Sequence, residues 1–285
     1  MTIPFFLVDA FTDRPFAGNP AGVCVLTAPA PAAWMQQVAR EVRASETAFV
    51  IAPDAETPRL RWFTPTHEVD LCGHATLAAA HALQAYDAEH SDASASTREA
   101  VAFNTASGTL TAQYTDTGIR LDFPADPPTA EPAPAGLVAA CDVPTPVWSG
   151  RSARDWVLHV DTAQAVRAAQ PKMDALAQFD TRGVIITAQA DAEADHDFVS
   201  RFFGPQVGVP EDPVTGSAHC ALGPYWHRRL GTPRLTGYQA SERGGTVRIH
   251  LPPSHDTVAS RIHLFGTCQT MVRGTWQAGS DALEA

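Results

Sequence analysis

No apolar run in the chain approaches the roughly 18 residues that a membrane-spanning helix needs. Basic residues are scarce as well. Twenty Lys and Arg stand against 31 Asp and Glu, giving a net charge of −11 and a pI of about 5.4. Nucleic acid and anionic membrane both call for a basic footprint, so neither is expected as a principal partner. An acidic small molecule stays open, because the local field of a pocket can oppose the global charge. Cysteine is sparse: Cys24, Cys72, Cys141, Cys220 and Cys268 are scattered, odd in number and without a C-x-x-C pair. That usage fits inert thiols in a reducing compartment. The opening residues Met1 to Asp9 carry no basic stretch, and Asp9 interrupts the apolar run too early for a signal peptide. A soluble, cytoplasmic protein is expected.

Cofactor and metal signatures are missing too. There is no G-x-G-x-x-G after a strand, no P-loop and no G-x-S-x-G elbow. The 11 histidines are dispersed, and His67-Glu68 does not continue into H-E-x-x-H. His74 and His81 share a helix face, but no third ligand is spaced to join them. Cofactor-free chemistry and no metal are the expectation.

What is present is an ordinary globular composition, 45% apolar and 18% charged, over 285 residues, enough for two domains. Strands are expected at Phe5–Ala10, Gly22–Leu26, Ala48–Ile51 and Leu60–Phe63, with a helix over Ala32–Val42 and another from Gly73 onward. Gln84 to Glu99 reads as an exposed loop, and Val101–Gln113 with Gly118–Phe123 as a strand pair. The proline-rich stretch 126–146 reads as a linker with a short helix around Leu137 to Cys141. Beyond it come strands at Trp156–Val160, Gly183–Thr187 and Phe198–Phe203, a largely helical Ala163–Phe179, and a helix at Ser217–Arg229.

The second half repeats the first. Arg61-Trp62-Phe63-Thr64-Pro65 matches Arg201-Phe202-Phe203-Gly204-Pro205, and Cys72-Gly73-His74-Ala75 matches Thr215-Gly216-Ser217-Ala218. Each match is a strand turning into a helix of small residues. Such a helix start presents unpaired N–H groups and a positive dipole end, which suit a carboxylate. A repeat of this length is a whole domain. Two such domains would bring both helix starts to one cleft, where ligands prefer to bind.

Asp9-Ala10-Phe11-Thr12 with Gly18-Asn19-Pro20, Ser45-Glu46-Thr47-Ala48-Phe49, Cys72-Gly73-His74-Ala75-Thr76 and Asp212-Pro213-Val214-Thr215-Gly216-Ser217-Ala218 together resemble the PhzF-like isomerase family of phenazine biosynthesis. That family shares its fold with diaminopimelate epimerase. The resemblance spans almost the whole chain. It implies an α+β fold of two similar, pseudo-twofold-related domains, each a curved mixed or antiparallel sheet wrapped around a central helix. Residues 1–125 would form the first domain, with 268–276 returning to it, and 147–267 the second.

Taken alone, Glu46 reads either as a solvated strand-edge residue or as a carboxylate whose burial raises its pKa toward a general base's range. The resemblance makes it the proton-shuttling glutamate. Asp212 would be an acidic loop residue or, by resemblance, a second carboxylate facing the substrate. His74 opens its helix, where the dipole should favour the neutral ring, and would relay a proton or donate a hydrogen bond. Ser217 suits an N-cap, a ligand contact, or both. Asn19 sits in a turn that the family places at the pocket, and Gly73 and Gly216 would offer backbone donors. Epimerase relatives carry a thiol at the position of Cys72 and a second in the other half. Here the second position is Thr215, so a two-thiol racemase is not expected. The implied activity is a cofactor-independent isomerase moving a proton between carbons of a small carboxylic acid, and a homodimer is implied with it. Alternatives are an epimerase or lyase using the same glutamate, or a non-catalytic small-acid binding protein.

Overall fold

The computed structural model describes residues 2–90, 98–253 and 260–277, which divide into two compact units, Met1–Asp122 with Phe265–Ala285, and Phe123–Leu264. In the first unit, Thr2–Ala10 pairs antiparallel with Asn19–Leu26, which runs parallel to Glu46–Ile51. Glu46–Ile51 pairs antiparallel with Arg59–Phe63, which lies parallel to Ala100–Thr105, and Gly108–Thr115 follows antiparallel to that strand and to Gly118–Pro124. Cys268–Gln277 pairs along the free side of Thr2–Ala10.

The second unit repeats this order of pairings step for step. Trp148–Arg151 is antiparallel to Asp155–His159, which is parallel to Gly183–Gln189; that strand is antiparallel to Phe198–Gly204, which is parallel to Arg234–Gln239, with Gly245–His250 antiparallel at the end. In each unit one long helix follows the fourth strand after a short strand, Gly73–His90 in the first and Gly216–Leu230 in the second. The duplication read from the sequence is therefore a duplication of topology. The fold is two similar α+β units, each a curved mixed sheet around a central helix.

Parity along the strands decides what each side chain meets, because successive residues face opposite sides of a sheet. Cys24, Leu26, Phe49, Ile51 and Phe63 fall on one side and form a core with Trp34, Met35 and Val38 of the helix Ala32–Val42. Phe49 and Phe63 meet there edge to face, centroids 5.5 Å apart. Val23, Val25, Ala48 and Val50, all buried, fall on the opposite side, where Gly73–His90 packs against the strands. That helix is nearly all Ala and Leu along its buried residues, so it can lie close to the sheet. Asn19 and Glu46 have the same parity as this second set. They are carried toward the helix by the same alternation that builds the core.

Several expectations change. The helix from Gly73 runs on to His90, past the expected start of the loop at Gln84, and residues 91–97 of that loop lie outside the described residues. Val101–Gln113 is two strands rather than one, turned at Ala106-Ser107, with Gly108 at a φ of +94°. The helical stretch Ala163–Phe179 is two short helices, Ala163–Ala168 and Met173–Leu176. Pro171 lies between them, and a proline disfavours helical backbone at the residue before it. The stretch 126–146 carries the expected helix Leu137–Cys141 and, beside it, the strand Thr129–Ala130; Leu137, Ala140 and Cys141 sit in the core of the second unit. No described helix is long and apolar enough to cross a membrane.

Phe49→Ala should lower the unfolding free energy by about 3–5 kcal/mol in urea titration, because it opens a cavity in this core. Phe16→Ala, at a side chain 77% exposed, should stay within about 0.5 kcal/mol. Equal losses at the two positions would contradict the assignment of the core.

Candidate functional site

Glu46 begins its strand and faces the central helix, whose second residue is His74. Glu46 Oε2 lies 3.0 Å from His74 Nε2, and the two side chains are 16% and 6% exposed. The approach is not aligned as a hydrogen bond. Oε2 is buried and has no hydrogen-bond partner among the described residues, so the contact acts through charge. A buried carboxylate oxygen in that condition is costly unless a charge compensates it.

The other ring nitrogen of His74 is held as well. Asn19 Nδ2 lies 3.2 Å from Nδ1, and Ser45 Oγ donates to Asn19 Oδ1 at 3.0 Å. Asn19 owes its place to Gly18, whose φ of +68° and contact with the Ala10 carbonyl leave no room for a Cβ. Cys72 completes the cluster, with Sγ 3.6 Å from His74 Nδ1 and 4.0 Å from Nε2.

The charge state of His74 differs from the expectation of a neutral ring at the helix start. Burial pushes its pKa down, but the facing Cys72 and Glu46 more than offset this, and the imidazole is held well above its ordinary value. Burial and Glu46 together push the Cys72 thiol up. The thiol therefore keeps its proton near neutrality. His219, on the second unit's helix, shows what burial does without a carboxylate: its ring is pushed down to about 4.

In the second unit the matching helix start is built from different residues. Thr215 takes the N-cap position and Ser217 lies one residue inside the helix, so Ser217 is not the cap. Thr215 Oγ1 donates to Asp212 Oδ2 at 2.6 Å. Gln239, fully buried, donates to the Asp212 carbonyl at 2.7 Å and accepts from the Thr215 N–H at 2.9 Å. Ser217 Oγ accepts from Arg182 Nη1 at 2.9 Å, and the same guanidinium grips buried Asp155 through both carboxylate oxygens. Where Glu46 pairs with Ala21 at the start of one parallel strand pair, Gly183 pairs with Asp155 at the start of the other, and Arg182 immediately precedes it.

The expected residues thus fall into two groups. Asn19, Glu46, Gly73 and His74 gather in the first unit, and Asp212, Gly216 and Ser217 surround the helix start of the second. Arg182 and Gln239 were missed as site residues. Gln239 had a signal, since Tyr238-Gln239-Ala240-Ser241 is the counterpart of Phe103-Asn104-Thr105-Ala106 downstream of the helix in the other half. Arg182 had none, because its partners Asp155 and Ser217 are 27 and 35 residues away.

Arg182→Met should leave the Asp155 carboxylate buried and unpaired, at a cost of about 3–5 kcal/mol. Burial already holds the Asp155 carboxyl above its ordinary value against the pull of Arg182, and losing Arg182 raises it further. Stability tied to a raised folded pKa is complete below the unfolded value and is lost as pH rises through the folded one. The deficit against wild type, from urea titrations across the acid range, should be largest near neutrality and shrink on acidification. A deficit independent of pH would contradict the pairing.

The family described as phenazine biosynthesis-like protein matches residues 8–274. An uncharacterized isomerase of Halalkalibacterium halodurans is 45% identical over 274 residues, covering 96% of this chain and 98% of that protein. A crystal structure of a phenazine biosynthesis protein of the PhzF family from Enterococcus faecalis superposes with a TM-score of 0.88 at 36% identity, covering 98% of this chain and 100% of that one. A probable proline racemase from Agrobacterium radiobacter, 14% identical with a TM-score of 0.59, shares the fold over 98% of this chain and 93% of that one. With matching motifs, duplicated topology and coverage of nearly the full length, the chain belongs to the phenazine biosynthesis-like (PhzF) family.

Proposed function

We propose that the chain is an isomerase that moves a proton between carbons of a small carboxylic acid without a cofactor, with Glu46 as the group that takes and returns the proton. The observation that carries this reading is the buried Glu46 Oε2, 3.0 Å from His74 Nε2 and without a hydrogen-bond partner among the described residues. Oε2 is held against the ring by charge and the carboxylate is not saturated by hydrogen bonds, so it can still receive a proton from carbon. His74 holds the developing charge; a protonated ring donates from Nδ1, so the Asn19 amide would turn its oxygen to it, with Ser45 Oγ on the amide nitrogen, and fix the plane of the ring. A base so oriented contributes typically 10²–10⁴-fold to rate.

In the second unit, Asp212, Ser217 and the Gly216 turn are assigned to holding the substrate's acid group and assisting tautomerisation, and Gly73 offers a backbone donor in the first. The naming of the Halalkalibacterium halodurans relative as an isomerase supports the reaction class. A two-thiol epimerase mechanism is disfavoured, because Thr215 stands in the second thiol position with its hydroxyl committed to Asp212 and the Cys72 thiol is pushed up. A cytoplasmic homodimer completes the proposal, supported by the family resemblance.

Incubating candidate cyclic and acyclic carboxylic acids with the protein in D2O, read by NMR, should identify a substrate by deuterium entry with migration of a double bond. On that substrate Glu46→Gln should lose about 10²–10⁴-fold in kcat, with its urea midpoint still marking a folded chain. Full turnover by Glu46→Gln would overturn the role of Glu46. Deuterium entry at one carbon with inversion and no migration would turn the reading to an epimerase.

A further inference from the structure

Glu46, Cys72 and His74 each place a metal-ligating atom within 4.8 Å of the others. The histidine spacing gave no hint of this, because the third donor is neither a histidine nor near in sequence. It comes from the start of the strand Glu46–Ile51, well before the helix Gly73–His90 in sequence. Tetrahedral zinc, with bonds of about 2.3 Å to sulfur and about 2.0–2.1 Å to nitrogen and oxygen, sets its sulfur and nitrogen ligands about 3.6 Å apart and its nitrogen and oxygen ligands about 3.3 Å apart. Here Cys72 Sγ to His74 Nε2 is 4.0 Å and His74 Nε2 to Glu46 Oε2 is 3.0 Å. Cys72 Sγ lies nearer Nδ1, at 3.6 Å, than Nε2, so an ion on Nε2 is reached by a turn of the Cys72 side chain toward Glu46.

We propose that a divalent cation of the zinc class binds Glu46, Cys72 and His74, and that the bound cation blocks proton transfer at this site. One thiolate, one imidazole and one carboxylate leave a fourth position open for water, and this donor set selects zinc or cobalt over magnesium or calcium. The outer shell is present too. If the side-chain amide of Asn19 turns over, its oxygen accepts the Nδ1 proton of His74 while Ser45 Oγ accepts from its nitrogen, which fixes the ring with Nε2 toward the ion. Binding releases the thiol proton of Cys72 and the Nε2 proton of His74 to solvent. The Glu46 oxygen that would receive a proton from carbon is then held by the ion. The blocking half of this inference rests on the proposed role of Glu46; the binding half does not.

The full-length protein, stripped with chelator, is titrated with Zn2+ in a calorimeter and with Co2+ in a spectrophotometer. About one equivalent is expected, with a thiolate-to-cobalt charge-transfer band and no displacement by excess Mg2+. Cys72→Ser should abolish the band and weaken Zn2+ binding more than about tenfold, and His74→Asn should do the same to affinity. Cys268→Ser should change neither. If Cys72→Ser and His74→Asn, both folded by circular dichroism, bind Zn2+ as wild type does, the ion sits elsewhere and the site is overturned. Zn2+ bound at Cys72 without loss of turnover on a true substrate would overturn the blocking claim and, with it, the placing of Glu46 as the proton carrier.

Discussion

The approach of the Glu46 carboxylate to the His74 ring depends on two backbones that cannot move apart cheaply. Glu46 is fixed by the parallel pairing of its strand with Asn19–Leu26, and His74 by a helix whose buried face is packed against those same strands. Alternation in the strand sends Glu46 to the helix side together with Ala48 and Val50, so a charged group is delivered to a place where the surrounding residues are apolar. A carboxylate there requires a counter-charge, and the imidazole supplies it. Through that ring the pair draws in Asn19, Ser45 and Cys72, and through Asn19 the tight Gly18 turn.

The two units show what duplication keeps and what it releases. The order of strand pairings and the placement of the central helix are kept. The residues at the helix start are not. One unit has a carboxylate, an imidazole and a thiol; the other has Asp212 tied down by Thr215 and Gln239, and Ser217 held by an arginine already paired with Asp155. The scaffold supplies a helix start twice, and in the proposed function the side chains divide the chemistry between proton transfer in one unit and anion binding in the other.

The architecture was legible in the sequence because strands and small-residue helices leave periodic marks, and because those marks occur twice in the same order. The membership of Glu46, His74, Asp212 and Ser217 in one family's motifs came from the resemblance; strand parity then shows why Glu46 faces the helix. The rest was not legible, for physical reasons. Cys72 as a neighbour of Glu46, and Arg182 as a neighbour of Asp155 and Ser217, are contacts between distant segments that no local period records. The imidazole of His74 went the other way from the expectation, because Cys72 and a carboxylate 3.0 Å away together more than offset burial. The break at Pro171 was visible in the sequence but was overridden by an apolar period that two short helices also satisfy.

The dependence of this site on one pair of side chains can be measured without knowing the substrate. A double-mutant cycle on unfolding free energy, using Glu46→Gln, His74→Asn and the double variant, isolates their interaction from the other effects of each change. A favourable coupling of about 0.5–3 kcal/mol is expected for groups in such contact. Additive losses would contradict the pairing on which the proposed proton transfer rests.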